Sequence, residues 1–165
     1  MKHIVTLLAL LLPFSIMAKD SPLPDCTNYD NEHACYIDFR SDYWSGMRAQ
    51  YQAKGLTYKY YVHPDFFSDL TDEEEEKSEE LFKNGFTGYI EIAYTVDESG
   101  KTTDITVAHV SDERLEMFVP TAKNAIEQTE FAKMKKTVKA PNMRYYFLAG
   151  KEHEEDEDSE ESEQD

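Results

Sequence analysis

Two cysteines, Cys26 and Cys35, and five histidines are the residues of this chain whose chemistry could reach beyond packing and solvation. Eight residues separate the cysteines. In an oxidising compartment such a pair closes one disulfide, which constrains the unfolded chain by about 2–3 kcal/mol. A metal site would have to enlist Asp30, Glu32 and His33 from the same stretch, and that spacing matches no zinc pattern. His63, His109 and His153 lie far apart, and no serine or cysteine nucleophile occupies a recognised elbow. The six glycines do not cluster into a phosphate-cradling loop. The acidic run Glu73–Glu76 lacks the ligand spacing of a calcium loop and reads as a solvated helix start. The expectation is therefore a protein with no catalytic residues, no cofactor and no metal, and with one disulfide, Cys26–Cys35.

Whether the cysteines pair depends on the compartment, and residues 1–18 bear on it. Met-Lys-His is followed by an apolar run from Ile4 to Leu12, then Pro13 and small or apolar residues up to Ala18. This is the pattern of a secretory signal peptide cleaved after Ala18. A membrane-spanning helix would need about 20 apolar residues, more than precede Lys19-Asp20. An uncleaved anchor is the alternative, because Ile16 stands where a small residue is preferred. Asp25 before Cys26 argues against lipidation of that cysteine. The mature chain is expected in the periplasm, with no stable membrane insertion.

Charge narrows the partners. The chain carries a net charge of −17, and Lys151–Asp165 holds ten acidic residues and one Lys, about half of that excess. A surface this negative repels phosphate backbones, so nucleic acid is a poor partner. The acidic tail offers no apolar residue to bury and is expected to be disordered.

The elements that must position any site follow from periodicity. Residues 19–71 read as an N-terminal extension: a proline-containing lead-in, a short helix over Asp42–Lys54 from the spacing of Trp44, Met47 and Tyr51, and a strand over Leu56–Val62. Its many aromatic residues, from Tyr36 to Phe67, are expected to pack as core. Thr71-Asp72-Glu73-Glu74 is a capping box that opens a helix ending at Asn84-Gly85. From Gly88 to Val96 apolar and polar residues alternate as in a half-buried strand. Asp97-Glu98-Ser99-Gly100 turns the chain into a second strand, Thr102–Val110. Phe118, Ala122, Ala125, Ile126 and Thr129 form the stripe of an amphipathic helix starting near Glu116. Lys133–Pro141 reads as a basic loop, and Met143–Leu148 as a third strand.

The ordered set Gly88-Tyr-Ile-Glu-Ile-Ala-Tyr-Thr-Val-Asp-Glu-Ser-Gly100, a second strand ending at Ser111, an alanine-bearing helix ending in the aromatic Phe131, and the strand Arg144-Tyr-Tyr-Phe147 resembles the TonB C-terminal domain. The resemblance covers about residues 72–150. It implies an α+β fold: a small open antiparallel sheet (hairpin, helix, third strand) backed by two helices, here with an aromatic-rich N-terminal extension. It also implies a periplasmic interaction module in which an edge strand pairs with an extended peptide of an outer-membrane receptor or other envelope protein. By that likeness the receiving edge is Met143, Arg144, Tyr145, Tyr146, Phe147 and Leu148. The family's proline-rich spacer has no counterpart among the six scattered prolines, and Glu80-Leu-Phe-Lys-Asn-Gly85 stands where a tyrosine-proline pair often opens the domain. These departures favour a module accessory to TonB-dependent transport over an energy transducer held by an uncleaved anchor. An enzyme acting on cell wall or peptide is a third reading without visible residues to carry it.

Protein purified from the periplasm is expected to begin at Lys19 and to gain the mass of two hydrogens on reduction. Retention of Met1, or two free thiols without reductant, would refute the export reading.

Overall fold

The computed structural model describes residues 23–150. The signal peptide expected over residues 1–18 and the acidic tail, Lys151–Asp165, lie outside them. The chain is α+β. Its elements are α1 (Glu32–Ala53), β1 (Tyr58–Tyr60), α2 (Asp72–Lys83), β2 (Phe86–Val96), β3 (Thr102–Val110), a 3-10 helix (Glu113–Phe118), α3 (Val119–Gln128), β4 (Glu130–Phe131), β5 (Val138–Lys139) and β6 (Met143–Ala149). Among the described residues no helix is long and apolar enough to cross a membrane.

β2 is the spine of a small open antiparallel sheet, with β3 on one side and both β5 and β6 on the other. Its alternation works as the sequence suggests. Ile90, Ile92, Tyr94 and Val96 are buried, and they pack with Met143, Tyr145 and Phe147 of β6 against Leu115, Phe118, Ala122, Ala125 and Ile126. The stripe of α3 is thus the sheet's cover. Pro120 sits in the first turn of α3, where a missing N–H costs nothing.

α2 begins at the expected capping box: Glu74 N–H donates to Thr71 Oγ1, and Thr71 N–H donates to the Glu74 carboxylate. The helix expected over Asp42–Lys54 starts ten residues earlier. Asn31 supplies the cap, its Oδ1 accepting from the amides of His33 and Ala34. Met47, Tyr51 and Leu56 join the same core as the sheet. The strand expected over Leu56–Val62 shrinks to Tyr58–Tyr60, which among the described residues pairs with the two residues of β4. The basic loop Lys133–Pro141 contains β5. The aromatic segment is mostly core or packed on it, while Tyr60 and Phe67 stay exposed.

The hairpin turn is tied to β4 and the residues after it. Asp97 accepts from Ser99 N–H, Ser99 Oγ and Lys101 N–H. Gly100 has φ +88°, and its carbonyl accepts the Phe131 N–H at 2.7 Å. A Cβ at Gly100 would lie 2.1 Å from the Phe131 carbonyl oxygen. Alanine there combines left-handed strain with a backbone clash, so Gly100→Ala is expected to cost about 2–4 kcal/mol. Urea unfolding measures this, and a loss below 0.5 kcal/mol (on the order of a neutral surface change) would contradict it.

Candidate functional site

A sheet border carries main-chain groups that no neighbouring strand takes up, and this sheet has two borders. Their construction differs. β3 pairs with β2 through two register shifts, one at Glu91/Ile92 and one between Ala93 and Thr95. Asp104 within it has φ +52°, left-handed backbone that a charged residue tolerates at a bulge. β6 pairs with β2 over seven consecutive residue pairs, Phe86↔Ala149 to Ile92↔Met143, with no shift. The residues Met143–Leu148 therefore lie in a regular strand at a border of the sheet.

The ladder sets which way each β6 residue turns. Tyr94 C=O accepts from Ala140 N–H on the β5/β6 side, and Tyr89 C=O accepts from Ser111 N–H on the β3 side. Even-numbered β2 residues thus bond toward β6, where they face Met143, Tyr145, Phe147 and Ala149. Arg144, Tyr146 and Leu148 turn their N–H and C=O outward. The first of these meets α1: the Arg144 N–H donates to Tyr43 Oη at 2.7 Å. Phe39 and Tyr43, one helical turn apart, set their rings edge-on against Tyr146 at 4.9 and 5.1 Å. α1 closes the border at the start of β6.

Beside this contact lies a partly buried ion pair. Arg144 Nε donates to Glu91 Oε2 at 2.6 Å, Asn142 Nδ2 donates to Glu91 Oε1, and the guanidinium stands 5.5 Å from the centre of the Tyr89 ring. Burial pushes the Glu91 carboxyl up, but the hydrogen bonds from Asn142 and Arg144 and the arginine charge outweigh it, and the carboxyl titrates below its ordinary value. Two clefts flank Tyr43. One of about 630 Å³ opens between Phe39, Gly46, Asn142 and Arg144, with Leu23 and Pro24 on its rim. The other, about 230 Å³, lies between Arg40, Trp44, Tyr61, His63 and Tyr145. A third, of about 710 Å³, separates α2 from the 3-10 helix and has charges of both signs.

The remaining expected residues fall elsewhere. Cys26 and Cys35 are bonded, with Cα atoms 5.6 Å apart, at the start of α1. His63 is exposed, with Nδ1 3.0 Å from the Pro64 carbonyl. His109 is exposed on β3 against the Tyr89 ring. The structure does not bring these two histidines into one site, and His153 lies outside the described residues. Sequence reasoning missed Arg40, Phe39 and Tyr43 as neighbours of β6. The i, i+4 spacing of Phe39 and Tyr43 was the available signal, yet it names a helix face and not the strand that face meets.

The ion pair makes stability depend on pH. Because the native carboxyl titrates below the unfolded value of about 4.5, its contribution is complete above that value and is lost as pH falls through the native one. Glu91→Gln is expected to cost about 1–2 kcal/mol at pH 7, between an exposed and a fully buried pair. It should also flatten the acid limb of the stability profile below pH ~5. Parallel urea titrations from pH 3 to 7 test both, and identical acid limbs would disprove the pair's role.

Neither a scan against protein-family models nor a search of the curated proteins finds a match to this chain.

Proposed function

We propose that this chain is a periplasmic protein-interaction module of TonB-like fold, which captures an extended segment of an envelope protein by strand addition along β6 and serves TonB-dependent transport as an accessory. The observation that carries the reading is the contrast between the two borders. β3 is twice bulged and carries Asp104 in left-handed backbone within the strand, and bulges are a means by which sheets discourage edge pairing. β6 keeps an unbroken register and has aromatic and cationic clefts beside it. Main-chain bonds along such a strand would supply affinity, and the clefts would select side chains. The Cys26–Cys35 bond supports an oxidising compartment. The acidic surface supports a protein partner over a polyanion.

The ladder geometry designs the test. Leu148 turns its N–H away from β2, so Leu148→Pro removes an outward donor and leaves the β2–β6 bonds intact. Crosslinking of the mature chain in periplasm and outer membrane identifies the partner, and its affinity is then measured. Leu148→Pro with native circular dichroism is expected to bind about tenfold more weakly, and Leu148→Ala to bind nearly as wild type. A folded Leu148→Pro protein with wild-type affinity would rule out pairing at this border.

A further inference from the structure

The basic loop over residues 133–141 and the acidic tail are features of the sequence that strand addition leaves unused. Lys133, Lys135, Lys136 and Lys139 stand with no acidic residue between Ala132 and Pro141. The fold brings a fifth lysine to them. The Met134 N–H donates to the Glu98 carbonyl, the Phe131 N–H donates to the Gly100 carbonyl, and β5 pairs with Thr95 and Val96, so the loop lies against the hairpin turn that leads into Lys101. All five lysines are exposed, and none takes part in an ion pair among the described residues. Of the carboxylates of the turn and β4, Asp97 is taken up by the turn itself and Glu130 by Lys59 at 2.8 Å, which leaves Glu98. In a chain of net charge −17 this is a cationic face, and it suits a run of closely spaced carboxylates.

The chain contains such a run itself. Residues 151–165 include ten acidic residues, and the pairing of exposed charges needs no apolar residue to bury. The ladder says how far that run has to go. β6 ends at Ala149, opposite Phe86, and Lys139 lies opposite Thr95 of the same strand, nine positions along β2 or about 30 Å away. From Gly150 to Glu160 an extended chain spans up to about 35 Å. Glu160, Glu161, Glu163 and Asp165 therefore come within reach of the lysines. Lys83 stands nearer the root of the tail, but it shares α2 with Asp72 and six glutamates, and that surface repels carboxylates. A second copy has the same lysines, yet the repulsion between two chains of net charge −17 opposes their approach. We propose that residues 160–165 lie against Lys101 and the lysines of residues 133–139 in the same molecule, so that the chain's own carboxylates occupy the face that a foreign polyanion would otherwise use. The proposal does not depend on strand addition.

Zero-length crosslinking reads this contact directly, because a carbodiimide joins a carboxylate to an amine only where the two already meet. Light and isotopically heavy mature chains are mixed in equal amounts, treated and digested, and every link from residues 152–165 is mapped by mass spectrometry. The Lys59–Glu130 pair supplies a positive control within the same molecule. The tail is expected to link to Lys101, Lys133, Lys135, Lys136 and Lys139, light to light and heavy to heavy. Its yield at about 0.01 M salt, where charges are felt over ~30 Å, should exceed that at about 1 M, where they are felt over ~3 Å, at least about fivefold. Lys135→Glu combined with Lys136→Glu, with native circular dichroism, should lower the links to the three remaining lysines at least about threefold, whereas Lys77→Glu combined with Lys83→Glu should leave them unchanged.

Tail links spread evenly over Lys77, Lys83 and Lys123 as well as the loop would overturn the proposal, since no face is then preferred. Links between light and heavy chains in place of links within one chain would overturn it in favour of a second copy. Tail links undiminished at high salt would show that charge does not hold the tail, and no tail link beside a normal Lys59–Glu130 link would show that it does not reach the face. Either result overturns the proposal and leaves segment capture along β6 standing.

Discussion

β2 has strands on both sides, so the peptide groups between Phe86 and Val96 are satisfied only if neighbours arrive from both directions. On one side the answer is local, since the Asp97–Gly100 turn folds β3 straight back. On the other side the chain first travels through the 3-10 helix, α3 and β4, and only then supplies β5 and β6. The crossing also delivers the apolar stripe of α3 onto the face that β2 presents. Satisfying one strand's hydrogen bonds and burying its even-numbered side chains are therefore one arrangement. Thr129 shows how closely the connections fit: it is buried, donates to the Ala125 carbonyl and accepts the Val62 N–H, tying the loop after β1 to the end of α3.

α1 performs two tasks along its length. Toward its C-terminus Met47 and Tyr51 enter the core, where the Tyr51 and Tyr94 hydroxyls bond at 2.6 Å. In its middle, Phe39 and Tyr43 lean on β6. The helix therefore protects the start of one border while bulges protect the other, two different solutions to the same exposure of backbone. α1 meets the Arg144 N–H and sets the rings of Phe39 and Tyr43 against Tyr146, with a cleft on either side of Tyr43.

What was legible in the sequence was whatever rests on local rules. The Gly88–Val96 alternation, the Thr71–Glu74 capping box, the Asp97–Gly100 turn and the Phe118–Thr129 stripe each depend on residues within one element, and the structure holds all four. The start of α1 was not legible, because its buried residues face different surroundings in succession and leave no single stripe; Cys35 and Tyr36 are buried near the disulfide, Met47 and Tyr51 against the sheet. β4 and β5, two residues each, exist only through their partners. The candidate site was half legible. Residues 143–148 could be marked as a strand from pattern, but the Glu91–Arg144 pair and the Tyr43 contact appear only once register and helix placement are known.

The bond between Tyr43 and Arg144 joins residues 101 positions apart. Contacts of such separation carry a large loop-closure entropy and come late in folding, after hairpins and helix stripes have formed. As the chain emerges N-terminus first, α1 and its rings must wait until the last strand is in place before they find their seat. Until then Phe39 and Tyr43 lack the Tyr146 ring they pack against and are exposed to other chains, and the order of assembly makes the final strand the step that ends this exposure.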